Sequence, residues 1–85
     1  MYIVTRGQTE VLNVLGPAPK QIAFQTRQSS GSRLLVSLAE ALPLDTAVKI
    51  VRDGALLLGE VTGCWQDSPG TVLAVVELSQ YLAPS

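Results

Sequence analysis

Residues 46–78, TAVKIVRDGALLLGEVTGCWQDSPGTVLAVVEL, read as three consecutive antiparallel strands joined by two tight turns. Asp53-Gly54 stands between two apolar runs. A two-residue type I′ turn needs positive φ at both centres, and Asp followed by Gly supplies it at low steric cost. Asp67-Ser68-Pro69-Gly70 marks the second turn, with proline and glycine in the order a reversal favours.

The first turn also fixes a register. A two-residue loop sets Arg52 opposite Ala55, Val51 opposite Leu56, Ile50 opposite Leu57 and Val48 opposite Gly59. One face then holds Val48, Ile50, Leu57 and Val61, and continues across the second turn through Trp65, Val72, Ala74, Val76 and Leu78 as the predicted core. The other face carries Val51, Leu56, Leu58, Cys64, Leu73 and Val75 beside Lys49, Glu60, Thr62 and Glu77, which is too apolar for simple exposure. The same register sets Glu60 against Glu77, a like-charge pair that argues for a shift by two residues. Two readings of the second face stay open. Either Val51, Leu56, Leu58, Leu73 and Val75 form an interface with a second copy or another protein, or the N-terminal segment and Tyr81-Leu82 cover them within one barrel.

Working outward, residues 10–15 form a strand closed by Gly16-Pro17-Ala18-Pro19. Residues 20–26 alternate Ile22 and Phe24 with Gln21 and Gln25, the period of a half-buried strand. Residues 27–32 read as a polar loop, residues 33–38 as a strand, and residues 39–42 as a loop ended by Pro43. Residues 2–5 are a short strand or a lead-in, and residues 79–82 a final helical turn. Phe24 and Trp65 are placed in the core. Short strands punctuated by glycine and proline turns predict an all-β fold, a small six-stranded antiparallel barrel with little or no helix, as one domain over residues 1–85.

Composition bounds the function. At 85 residues the chain has room for one core, and its 47% hydrophobic content is high for a body with so much surface, so apolar area is left for a partner to cover. Six Lys and Arg balance seven Asp and Glu, which argues against a nucleic-acid or anionic membrane partner held by a broad cationic surface. The alternative of an SH3-like or OB-type barrel on nucleic acid meets the same objection. No histidine and a single cysteine put the usual zinc sets out of reach and leave no internal disulfide, so no metal and a reducing, cytoplasmic setting are expected. Residues 1–4 meet polar Thr5, Arg6, Gly7 and Gln8 too soon for a signal peptide, and no run approaches the roughly 20 apolar residues of a membrane span.

The catalytic inventory is poor, because Cys64 has no histidine base and the acids are scattered, so no enzyme and no cofactor are expected. Arg6, Arg27 and Arg33 are the remaining chemistry. Several guanidinium forks around a polar glycine loop could grip a nucleotide, or the three could be solvated side chains at strand ends.

The order of parts resembles the PilZ family, six-stranded barrels whose best-known members bind the bacterial second messenger cyclic di-GMP. RLLVSLAEALPLDTAVKIVRDGALLLGEVTGCW carries the resemblance: a strand after a signature loop, a Leu-Pro spacer, a strand with a lysine, a hairpin and a long Gly-Glu-Val strand. Binding members carry RxxxR before the barrel and [DN]xSxxG at a strand start. Here Arg6 matches the first motif but Glu10 takes the place of its second arginine. In the second motif Gly31 matches, while Thr26 and Gln28 stand at the acid and serine positions. The resemblance thus implies a bacterial, non-enzymatic regulatory or protein-interaction barrel without tight cyclic di-GMP binding. Its alternative is a weak cyclic dinucleotide receptor built from Arg6, Arg27, Gln28, Gly31 and Arg33.

Overall fold

Asp53 and Gly54 both have positive φ, 53° and 80°, so the two-residue loop closes as the type I′ turn its sequence predicts. The computed structural model describes residues 10–83, and Arg6 and the segment 2–5 lie outside them. The strands are β1 (Glu10–Val14), β2 (Lys20–Ser30), β3 (Arg33–Leu38), β4 (Ala47–Arg52), β5 (Ala55–Ser68) and β6 (Thr71–Leu82). They close into an antiparallel barrel in the order β1-β2-β3-β6-β5-β4, with no helix among the described residues. The fold is therefore the all-β six-stranded barrel expected.

The β4–β5 register matches the sequence pairing at all four positions, Arg52 with Ala55, Val51 with Leu56, Ile50 with Leu57 and Val48 with Gly59. Glu60 does stand opposite Glu77, so no shift by two occurs. The repulsion is relieved from the other side, where Arg33 of β3 is also paired with Glu77 and bonds its carboxylate.

Three segments differ from expectation. Residues 27–32 are not a loop: β2 runs on to Ser30, and Gly31-Ser32 form a two-residue turn with Gly31 at φ 60° and Ser30 paired with Arg33. The apolar β3 gives those polar residues a ladder partner, and the extra residue Arg27 is absorbed as a bulge between Thr26 and Gln28. Residues 79–82 are strand rather than helix, because Leu56, Leu57 and Leu58 pair with Leu82, Tyr81 and Gln80. Asp67 and Ser68 belong to β5, leaving Pro69-Gly70 as the turn, with Gly70 at φ 80°.

A second bulge exchanges the faces of β5. Val61 pairs with Val76, but the next pair is Gly63 with Val75, so Thr62 is the extra residue. One inserted residue reverses the side on which every later side chain emerges. Trp65 therefore pairs with Leu73 on the outer surface and is 47% exposed, which corrects its assignment to the core. Cys64 moves the other way, pairing with Ala74 and packing against the core.

The core itself is purely apolar, with Leu12, Phe24, Val36, Val48, Ile50, Val61 and Val76 almost fully buried. The connection from β3 to β4 crosses one end of the barrel and sets Leu42 into that core. Thr46 holds the connection by donating its hydroxyl to the Pro43 carbonyl at 2.6 Å, and Asp45 N–H donates to the Val61 carbonyl at 2.7 Å.

Candidate functional site

At the end opposite Leu42, strand alternation carries polar residues onto the inner face. Arg52 follows Ile50 by two residues, Glu10 precedes Leu12 by two and Thr26 follows Phe24 by two, so all three turn inward where the barrel wall stops. Arg52 Nε donates to Glu10 Oε2 at 2.9 Å, and Nη2 donates to Glu10 Oε1 at 2.7 Å and to the Thr26 hydroxyl at 3.0 Å. The fork matches the carboxylate geometry and joins β1, β2 and β4. The Glu10 hydrogen bonds hold the Arg52 guanidinium above its ordinary value against the opposing cost of partial burial, with Asp53 adding a smaller push upward. This cluster was not singled out from the sequence. Its signal was there, as the same two-residue period extended one step past the last apolar position of each strand.

The candidate nucleotide residues disperse. Arg6 lies outside the described residues. Arg27 sits on the β2 bulge and is exposed. Gln28 and Arg33 do come together, lining an outer-wall pocket of about 210 Å³ with Leu35 and Val75, and Gly31 forms the adjoining turn. Arg33 is already engaged there. Its Nε donates to Glu77 Oε1 at 2.8 Å, and the Ser32 hydroxyl donates to the other Glu77 oxygen. The Ser32 hydroxyl first and Arg33 second keep the Glu77 carboxyl below the usual carboxylate value.

The candidate interface residues all lie on the outer wall but fall into two patches. Val51, 55% exposed, pairs with Leu56, which pairs with Leu82; Leu58 lies one outward step further along β5. Leu73 and Val75 belong to the other patch with Leu35, Trp65 and Gly63, across the pairs Leu35–Val75, Gly63–Val75 and Trp65–Leu73. A charged row, Arg33–Glu77–Glu60, separates them. The Trp65 ring lies over Gly63, whose open position sits 3.6 Å from the ring and 3.7 Å from a Val75 methyl. Leu82 stands beside Leu56 at the edge of the first patch, and Tyr81 pairs with the inward Leu57; both are themselves exposed, and the N-terminal segment expected to join them lies outside the described residues. Among the described residues no group of acidic, histidine or cysteine side chains is arranged to hold a metal ion.

No protein-family model, no curated protein and no solved structure matches the chain.

Proposed function

We propose that this chain is a non-enzymatic protein-interaction module, a PilZ-like barrel that docks through its outer apolar wall and does not bind cyclic di-GMP tightly. The observation that carries the reading is Trp65, turned out of the core by the Thr62 bulge and laid beside Val75, Leu73 and Leu35 on open surface. Large aromatic side chains in such a patch are the usual anchors of protein interfaces.

Charge supports a second copy as the occupant. The patch spans β3, β5 and β6, and is flanked by Arg27 on β2 and Glu60 on β5, neither of which has a hydrogen-bonded or ionic partner among the described residues. A second copy would offer a carboxylate to each Arg27 and a guanidinium to each Glu60.

Two features oppose the receptor alternative. Glu10 and Thr26, at the positions that a binding member would devote to phosphate and to a base edge, are bonded to each other through Arg52. Arg33 would have to leave Glu77 to reach a phosphate.

Light scattering at micromolar concentration is expected to give twice the 9.0 kDa chain mass, and Trp65→Ser with Val75→Ser to give the single-chain mass. A wild-type chain that stays at the single mass overturns self-association. Calorimetric titration with cyclic di-GMP is expected to show no dissociation constant below about 10 μM. A tighter one overturns the reading in favour of the receptor.

A further inference from the structure

We propose that the open end of the barrel is a binding site for a small neutral molecule with an apolar ring body and an amide-type head that both donates and accepts hydrogen bonds. The two ends of the barrel are built differently. Leu42 fills one, whereas the other opens into a cleft of about 450 Å³ that reaches down to Leu34, Leu57 and Leu78. That volume falls in the range of small-molecule sites, and barrel mouths are a common place for them.

The opening has a cause in the strand lengths. β3 begins at Arg33, and the last hydrogen bond closing this side runs from Leu78 N–H to the Ser32 carbonyl, yet β6 continues to Leu82. The β6 overhang brings Tyr81 to the inward side by its pairing with Leu57, but no β3 residue lies beside it. Its ring consequently lines the cleft while remaining 64% exposed, a flat apolar wall against which another ring can stack.

The rim selects the head group. Arg52 uses Nε and Nη2 on Glu10 and Thr26, and Nη1 makes none of the hydrogen bonds among the described residues. Asp53, also lining the cleft, has no hydrogen bond among the described residues. One donor and one acceptor thus face the same opening, with the Ser29 hydroxyl able to act either way. Glu10 already offsets the Arg52 charge, so an anion gains little from Arg52 and is repelled by Asp53, while an ammonium can pair with Asp53 but offers no acceptor to Arg52 Nη1. A neutral carbonyl with an adjacent N–H satisfies both groups.

The test is heteronuclear NMR on the isotope-labelled full chain with three probes sharing one ring: indole-3-acetamide, indole-3-acetate and tryptamine. The neutral amide is expected to shift the backbone signals of Ser29, Leu34, Leu57 and Leu78 with saturation in the millimolar range, the carboxylate probe to bind at least about fivefold more weakly, and the ammonium probe, which leaves Arg52 Nη1 without an acceptor, to bind more weakly than the amide. Tyr81→Ala, a change at an exposed position, is expected to weaken the amide while leaving the remaining spectrum in place. Leu78→Trp, which fills the cleft, is expected to abolish the shifts. A carboxylate or an ammonium probe that binds as well as the amide or tighter, shifts that map to the outer wall, no shifts at 10 mM amide, or undiminished binding in Tyr81→Ala each overturn the proposal.

Discussion

Arg52 and Glu10, 42 residues apart in the chain, meet at the rim of the barrel through two hydrogen bonds of 2.9 and 2.7 Å from the Nε–Nη2 side of the guanidinium. Their side chains are 33% and 24% exposed, so solvent screens the pair only in part. Removing one partner leaves the other partly desolvated. Arg52→Met is expected to cost about 1–3 kcal/mol in urea unfolding, at the low end because the site is not fully buried. The double change Arg52→Met with Glu10→Leu should cost less than the two single changes summed, since neither charge is then stranded. Strict additivity in that cycle would show that the pair contributes nothing as a pair.

Glu77 gives the pH dependence. Its folded value lies below the ordinary carboxylate value, so the native state favours the ionised form. Its contribution is therefore fully present above the ordinary unfolded carboxylate value and is lost as the pH falls through the folded value. The stability difference between wild type and Glu77→Gln should therefore shrink as the pH is lowered from about 5 towards about 3. Unfolding midpoints of the two proteins that keep a constant gap over that window would contradict the assignment. Arg33→Ala should narrow the gap at neutral pH, because Glu77 then faces Glu60 without its counter-charge.

Two glycines of β5 should respond in opposite ways to alanine. At Gly59 an added Cβ would run into the Glu77 carbonyl oxygen and come within 3.0 Å of the Leu78 Cα, both backbone atoms of a tightly paired strand. Gly59→Ala is expected to destabilise by about 1–3 kcal/mol, measured by thermal or urea unfolding. Gly63 offers ordinary contacts of 3.6–3.8 Å to Trp65 and Val75, and alanine there reduces the backbone freedom of the unfolded chain. Gly63→Ala should be neutral or slightly stabilising. Equal effects at both sites would mean that the close approach at Gly59 relaxes without cost.

Leu42 is the only residue of its connection that enters the hydrophobic cluster. Leu42→Ala is expected to cost about 2–5 kcal/mol in unfolding free energy, a size normal for a core leucine and large for a loop position. A change under about 1 kcal/mol would show that the end of the barrel collapses readily around the smaller side chain.

By itself the sequence determined the strand-rich fold, the Asp53-Gly54 hairpin and the pairing of β4 with β5, because turn chemistry and two-residue alternation are local properties carried by neighbouring residues. It also carries a second hairpin signal, since Gly31-Ser32 has the glycine-first order of a two-residue turn, masked by the polar run around it. What only the tertiary structure decided was which side each residue faces beyond a bulge. A single extra residue at Thr62 sent Trp65 outward and Cys64 inward, and no local preference of those residues announces it. The meeting of Glu10, Thr26 and Arg52 was likewise decided by closure, since three strands distant in sequence must first lie side by side. That Glu10 and Thr26, 16 residues apart, come within hydrogen-bonding distance of each other was not legible in the chain and required the barrel.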